Sequence, residues 1–171
     1  MFLNLEKSSL SSSEIKLEYT TINYYNYNVS QDGVFDPDNS YRFYVMLSGE
    51  MEVSLDSKDK TIFNQNQFII AQPNSEFDIY IKKGTKLFCF DITEDLINSI
   101  SGRVSLDIEN ITDSLKNSRL YQQDLSQNMT LSTLNIFNTY FSSDEDKSFL
   151  LDIYIQELIY YTFKKLNLSI N

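Results

Sequence analysis

Apolar and polar side chains alternate one by one through the first half of this chain. Phe43, Val45 and Leu47 alternate with Tyr, Met and Ser, and a second alternating run follows directly after Gly49. A period of two places successive side chains on opposite faces of a strand, so it predicts strands with one buried face. The predicted strands cover residues 14–19, 22–29, 42–48, 50–56, 60–63, 67–71, 76–82 and 86–92. Closely spaced strands without helices between them indicate an antiparallel sandwich or barrel.

Two segments near the N-terminus carry other signals. Residues 8–13 are rich in serine, so we assign residues 1–13 to a flexible N-terminal arm. Residues 31–40 contain Asp-Gly and Asp-Pro pairs, which are typical of turns. The sequence therefore predicts that regular structure begins at residue 14 and is interrupted over residues 31–40.

Helical signals replace the alternation after Ile92. Thr93 is a suitable N-cap for a short helix that runs to about Ile100 and closes at Gly102. Further helices are predicted over residues 126–141 and 149–166. Residues 103–125 carry no pattern that assigns them to a helix or a strand.

The last predicted helix has two apolar faces. At about 100° per residue, a broad face is formed by Leu151, Tyr154, Ile155, Leu158, Tyr161 and Leu166. A second stripe consists of Phe149, Ile153 and Tyr160. A helix that packs on its own barrel needs only one apolar face. The second stripe therefore predicts a contact either with another helix of the same chain or with a second subunit.

Charge and composition exclude several partners. The 171 residues include 14 Lys and Arg against 24 Asp and Glu, which gives a net charge of −10. Binding to duplex DNA or to an anionic membrane surface depends on clustered basic side chains, so we expect neither from this chain. The N-terminus lacks a signal-peptide pattern, and no apolar run reaches the roughly 18 residues of a membrane span. We expect a soluble cytoplasmic protein.

Residue types that many enzymes need are scarce. The chain has no histidine and one cysteine, Cys89, which lies in an apolar run. Zinc, iron and copper sites depend on His and Cys, and a nucleophilic triad needs a base. The acidic groups at Asp36 and Asp38 and at residues 144–146 lack calcium-loop spacing, so we interpret them as turn and helix-cap residues. We expect no catalytic residue, metal ligand or cofactor, and no enzymatic activity.

An antiparallel barrel can instead hold a ligand among its inward side chains. By alternation, the inward candidates are Phe43, Val45, Leu47, Phe68, Ile70, Phe77 and Ile79, with Tyr25 and Tyr27 near one mouth. A small-molecule pocket and a purely structural core need the same apolar residues. The pattern is compatible with both.

Four stretches, in this order and spacing, resemble those of a known family. The strand–Gly–strand hairpin over residues 44–53 resembles that of cupin-like sensor domains in AraC/XylS-type transcription regulators. Residues 63–74 are similar to the family's turn, strand and proline-containing turn. Residues 88–96 resemble its last barrel strand passing into its first helix, and residues 151–163 resemble its closing helix.

The resemblance spans nearly the whole chain and implies a fold. Asn66 stands where a glycine is common in the family, and Phe77 lies near a position where many members carry histidine. The implied fold is mainly β with C-terminal helices. A cupin-like antiparallel β-barrel, or double-stranded β-helix, would occupy residues 14–92, and a helical dimerisation region would occupy residues 93–171. The family's DNA-binding half, with two helix-turn-helix motifs, is absent from this sequence.

The resemblance also implies a function. It is that of a regulatory domain in a cytoplasmic transcription regulator, which forms a homodimer and senses either a small apolar effector or a regulatory protein. Contact with DNA would be made only through the absent domain, and no membrane partner is expected. A stand-alone protein-interaction module is the alternative. A cupin-type enzyme, such as an isomerase or a dioxygenase, is a further alternative that the missing histidines disfavour.

Overall fold

The computed structural model describes residues 3–4, 10–35, 39–54, 59–104 and 107–170. The strands are β1 (Leu3–Asn4), β2 (Leu10–Lys16), β3 (Thr21–Tyr27), β4 (Gln31–Phe35), β5 (Tyr41–Ser48), β6 (Glu50–Ser54), β7 (Lys60–Asn64), β8 (Gln67–Ala71), β9 (Phe77–Ile81), β10 (Lys86–Ile92) and β11 (Leu120–Asp124). The helices are α1 (Glu94–Ser101), α2 (Ile108–Lys116), α3 (Gln127–Tyr140) and α4 (Lys147–Ile170).

The strands form two antiparallel sheets that pack face to face. One sheet has five strands in the order β1-β4-β9-β6-β7, and the other has six in the order β11-β8-β5-β10-β3-β2. The chain crosses from one sheet to the other at Gly49, between β5 and β6, where φ is +85°. The predicted fold class, mainly β with antiparallel sheets and C-terminal helices, is confirmed.

Buried apolar side chains lie on both faces of the six-stranded sheet. An inner cluster fills the space between the two sheets and consists of Tyr25, Tyr27, Tyr44, Met46, Met51, Val53, Phe63, Ile69, Ala71, Phe77, Ile79, Ile81, Leu87 and Cys89. A helix-facing cluster joins the opposite face of the six-stranded sheet to the helices, and its strand members are Ile22, Phe43, Val45, Phe68, Ile70, Phe88, Phe90 and Ile92. The central strands β5, β8 and β10 are therefore buried on both faces, as their almost unbroken burial indicates.

Two segments differ from the sequence-based expectation. Residues 31–40 were expected to be a turn, but β4 occupies Gln31–Phe35 and pairs along its whole length with β9. Residues 103–125, which the sequence left unassigned, contain α2 and then β11, which returns to the edge of the six-stranded sheet beside β8. Both strands are specified by pairing with strands distant in sequence, and neither has the local alternation that predicts a strand.

The N-terminal strand begins earlier than expected. Strand β2 starts at Leu10 and pairs with β3 from Leu10 opposite Tyr27 to Lys16 opposite Thr21. The part of the predicted flexible arm from residue 10 to residue 13 is therefore strand, because backbone hydrogen bonds hold its serines in the ladder. The remainder of the predicted arm lies outside the described residues, except for Leu3–Asn4 in β1.

Helices α1, α3 and α4 lie where the sequence predicts helices, and Thr93 is the predicted N-cap of α1. Thr93 Oγ1 accepts a hydrogen bond from Leu96 N at 3.1 Å, and Ser126 Oγ accepts one from Met129 N at 3.2 Å. These bonds satisfy amide donors that lack a partner in the first turn of a helix. None of the helices in the described residues combines the length and the apolar character that a membrane crossing requires.

Candidate functional site

The inner cluster combines an apolar lining with buried hydroxyl groups. Tyr25 and Tyr27 are neighbours on one face of β3, with 2% and 0% of their surfaces exposed, and their rings stack with centroids 6.4 Å apart. Tyr44 on β5 and Cys89 on β10 are fully buried in the same cluster. Phenol groups in a barrel interior offer directional hydrogen bonds within an apolar space, which is the composition of a small-molecule site.

The hydroxyl of Tyr27 is the most informative of these groups. It has no hydrogen-bond partner among the described residues. Burial raises the pKa of Tyr27 far above its ordinary value, and Tyr25 and Cys89 raise it further, so the group stays a protonated donor. A buried donor that lacks an acceptor costs about 1–3 kcal/mol. A ligand that supplies an acceptor at this point would recover that free energy.

A buried cation lies at one end of the barrel. Arg42 on β5 is fully buried, and its Nη2 donates a hydrogen bond to the carbonyl oxygen of Ser75 at 3.1 Å. Its guanidinium carbon lies 6.0 Å from the centroid of the Tyr44 ring. Burial raises the pKa of Tyr44, and the positive charge of Arg42 opposes that increase. The barrel interior therefore has a positive end, which favours an electron-rich or anionic group.

A groove opens beside the inner cluster at the edge of the six-stranded sheet. Its volume is about 300 Å³, and it is lined by Ser12, Ser13, Glu14, Asn23 and Tyr25. Ser12 lies opposite Tyr25 and Glu14 opposite Asn23 in the pairing of β2 with β3. Because Tyr25 belongs both to this groove and to the inner cluster, the groove adjoins the barrel interior at this side chain.

The structure divides the predicted pocket residues between two faces. Tyr25, Tyr27, Phe77 and Ile79 lie together in the inner cluster. The other five belong to the opposite face of the six-stranded sheet: Phe43, Val45, Phe68 and Ile70 lie in the helix-facing cluster, and Leu47 is half-buried against it. Seven of the nine were expected to point into the barrel by alternation, and that expectation is wrong for these five. Their strands carry apolar side chains on both faces, so alternation alone does not identify the inner one.

Sequence reasoning missed several residues of the inner cluster. Tyr44 and Met46 alternate with Phe43 and Val45 on β5, and they are the inward side chains of that strand. Arg42 extends the same inward row to the start of the strand. The sequence did contain a signal for it, because Arg42 directly precedes the apolar run and shares the parity of Tyr44 and Met46 along the strand.

The predicted dimer stripe is partly exposed. Phe149 is 66% exposed and Ile153 is 41% exposed on α4. Tyr160 is half-buried and contacts the ring of Tyr161, with centroids 5.1 Å apart. Helix α3 and its C-cap residue add exposed apolar side chains that were not predicted: Leu131, Leu134, Phe137 and, at the cap, Phe141. Two helices of the chain therefore present apolar side chains to solvent.

Potential metal ligands do not converge in the described part of the chain. No three His, Cys, Asp or Glu side chains there form a group that could hold a metal ion. The one cysteine, Cys89, is buried in the inner cluster. The chemistry available in the barrel is therefore hydrogen bonding, apolar contact and the charge of Arg42.

Comparison with known proteins gives structural rather than sequence relatives. No protein-family model matches the sequence, and no curated protein matches it. The fold is similar to that of ToxT from Vibrio cholerae. An apo ToxT variant from strain SCE256 aligns with a TM-score of 0.63 at 12% identity, over 87% of this chain and 57% of that one.

Two ToxT structures with bound molecules also align. Wild-type ToxT from strain SCE256 with an unsaturated fatty acid has a TM-score of 0.58 at 14% identity, over 88% of this chain and 56% of that one. ToxT from strain O395 bound to (E)-4-(8-methylnaphthalen-1-yl)but-3-enoic acid has a TM-score of 0.59 at 15% identity, over 88% of this chain and 58% of that one. At these identities the similarity establishes a shared fold, and this chain spans less than two thirds of the ToxT chains.

Proposed function

We propose that this chain is the regulatory domain of an AraC-type transcription regulator of the cytoplasm, which binds a small apolar effector in its barrel and controls a separate helix-turn-helix DNA-binding domain. Three observations support the proposal. The sequence resembles AraC/XylS sensor domains in four stretches, the fold matches ToxT over 87% of the chain, and the barrel interior contains the buried tyrosine hydroxyls described above.

The effector has an apolar body and one hydrogen-bond acceptor. The observation that carries this assignment is the Tyr27 hydroxyl, a buried donor without a partner among the described residues. Tyr27 is surrounded by apolar and aromatic side chains, which require an apolar body. The molecules bound in the two ToxT complexes, an unsaturated fatty acid and an arylbutenoic acid, both have this chemistry.

The regulatory mechanism is a shift between two arrangements of barrel and helices. The six-stranded sheet has the inner cluster on one face and the helices on the other, so a change in one layer is transmitted through shared strands. A ligand shifts such an equilibrium only by the difference between its affinities for the two states. A ligand bound within the inner cluster favours the arrangement in which β3, β5 and β10 pack well against both the ligand and the helices.

Titration with oleate tests the effector site. We expect oleate to raise the Tm, because a ligand at 100 times its Kd adds about 2.7 kcal/mol to stability. Tyr27→Phe should weaken oleate binding by about tenfold or more, since a hydrogen bond to a charged acceptor contributes about 1.5–3 kcal/mol. It should leave the Tm of the free protein unchanged or slightly higher, because it removes an unsatisfied buried hydroxyl. Thermal unfolding and calorimetric titration measure these quantities.

Tyr24→Phe is the matched control for this titration. Tyr24 lies on the same strand as Tyr27 but on the opposite face, where its ring contacts Phe88 at 5.4 Å between centroids. Oleate affinity should be unaffected by Tyr24→Phe. The proposal is wrong if oleate binds neither protein, or if Tyr27→Phe binds it as tightly as the unmodified chain.

A second copy of the chain is the partner that we propose for the exposed stripe of α4. Phe149 is 66% exposed and Ile153 is 41% exposed on the same helix. A dimer contact would cover this apolar area. Replacing both Phe149 and Ile153 with Asp places four carboxylates in a two-fold contact, which should weaken dimerisation by about 100-fold or more. Sedimentation velocity across a concentration series measures the change.

The matched control is Ile62→Asp, because Ile62 on β7 has the same 41% exposure as Ile153 but lies in the five-stranded sheet rather than on α4. It should leave the oligomeric state unchanged. A monomer at every concentration before substitution would instead favour the protein-interaction module, with a different protein covering the stripe. An unchanged dimer in the double variant would exclude this face of α4 from the contact.

A further inference from the structure

A second cavity lies outside the barrel, between α2, β11 and α4. Its volume is about 240 Å³. Ile111, Leu115 and Leu166 contribute apolar side chains that are at most 6% exposed. The hydrogen-bonding groups of Ser114, Ser118, Tyr121 and Gln123 complete the lining. None of these residues belongs to the inner cluster, so this cavity is separate from the proposed effector site.

The lining determines which molecules suit the cavity. It contains no Asp, Glu, Lys or Arg, so it offers no counter-charge to an ionic ligand, whose desolvation would be costly. Its volume is below the roughly 300–1,000 Å³ of pockets for drug-sized ligands. Ser114 Oγ already donates to Asn110 O at 2.9 Å, and it therefore remains available as an acceptor. These features suit a small neutral molecule with an apolar body and one hydroxyl group.

The position of the cavity connects the barrel with the end of α4. The end of α2 and the following turn are held to Gln72, the residue directly after β8: Gln72 Nε2 donates to Lys116 O at 3.0 Å and Gln72 N donates to Arg119 O at 2.9 Å. On the other side, Lys165 Nζ of α4 donates to the carbonyl oxygen of Asp124 at the end of β11. The cavity lies between these two attachments.

We propose that this cavity is a second ligand site, which takes a small neutral alcohol-like molecule and whose occupancy fastens the last turns of α4 to α2 and β11. Bound ligand completes the packing of Leu115 on α2 against Leu166 on α4. A void between these side chains forfeits dispersion contacts that a ligand of matching shape restores. The site would thus regulate the C-terminal turns of α4 independently of the barrel.

NMR titration with 1-hexanol tests the site, with hexanoate as the charged ligand of equal length. Amide resonances of Ser118, Tyr121 and Gln123 should shift with a common, saturable dependence on hexanol. Hexanoate should bind at least tenfold more weakly, because the cavity has no cation. At ten times the hexanol Kd, hydrogen exchange of amides in the last turns of α4 should slow by up to about tenfold.

Ser118→Phe should abolish these shifts by filling the cavity, whereas Asn117→Phe should not, because Asn117 is exposed and lies outside the lining. If Ser118→Phe fails to fold, the comparison of hexanol with hexanoate on the unmodified chain still tests the proposal. Shifts confined to the inner cluster, shifts that do not saturate, or equal binding of hexanoate would each overturn the proposal.

Discussion

Replacing Phe43 with Ala is expected to lower the free energy of unfolding by about 3–5 kcal/mol, the usual cost of truncating a buried phenylalanine. Phe43 is fully buried at the centre of the six-stranded sheet. Its ring stacks between those of Phe68 and Phe90, with centroids 5.4 Å and 5.0 Å away. The loss is a large part of the roughly 5–15 kcal/mol that stabilises a typical domain. Urea unfolding followed by circular dichroism measures it.

The same variant tests which side chains of β5 face the barrel interior. Because Phe43 faces the helices, the folded fraction of Phe43→Ala should bind oleate with unchanged affinity. Phe149→Ala is the control for stability, since this side chain is 66% exposed and its truncation should change stability by no more than about 0.5 kcal/mol. A stability loss below about 1.5 kcal/mol in Phe43→Ala, or a loss of oleate binding in its folded state, would contradict the assigned faces.

Replacing Gly49 with Ala is expected to lower the free energy of unfolding by about 2–5 kcal/mol, from two sources. A Cβ at this position would lie 2.5 Å from Thr85 Oγ1 and 2.6 Å from Thr85 Cα, so the backbone of a neighbouring segment would have to move. The residue also has a φ of +85°, which side chains other than glycine's rarely adopt. Overpacking costs about 1–3 kcal/mol, and the backbone strain costs roughly another 1–2 kcal/mol.

Gly84→Ala separates the two sources. Gly84 has a nearly identical φ of +87°, but no atom lies within 4 Å of a Cβ added there. We therefore expect backbone strain alone to lower the free energy of unfolding of Gly84→Ala, by about 1–2 kcal/mol. Equal losses at Gly49 and Gly84 would show that Thr85 does not crowd the crossing between the sheets. Chemical unfolding of the two variants under the same conditions makes the comparison.

Local signals in the sequence predicted most strands, three of the helices and one N-cap, Thr93. The strands at residues 67–71 and 86–92 coincide with β8 and β10, because turn residues bound each apolar run. Thr93 and Ser126 are caps that depend only on residues three positions ahead. Such features are visible in one chain because their physical cause is local.

Features that depend on distant contacts were not predictable in this way. Strand β11 has the polar sequence Leu-Tyr-Gln-Gln-Asp and exists because Leu120 to Asp124 pair with β8, about 50 residues earlier in the chain. The inward face of β5 is likewise decided by the neighbouring layers, since both of its faces are buried. The candidate site was therefore predicted in part: the tyrosines of β3 were identified, whereas Tyr44 and Arg42 were not.

The most direct test of the effector site uses the methionine methyl groups as reporters. Met46 and Met51 lie in the inner cluster, and Met129 lies in the helix-facing cluster on the other side of the sheet. In spectra of methyl-labelled protein titrated with oleate, we expect saturable shifts of the Met46 and Met51 methyl resonances and a much smaller shift of Met129. Unchanged Met46 and Met51 resonances at saturating oleate, or a shift of Met129 alone, would contradict the proposal that the barrel receives the effector.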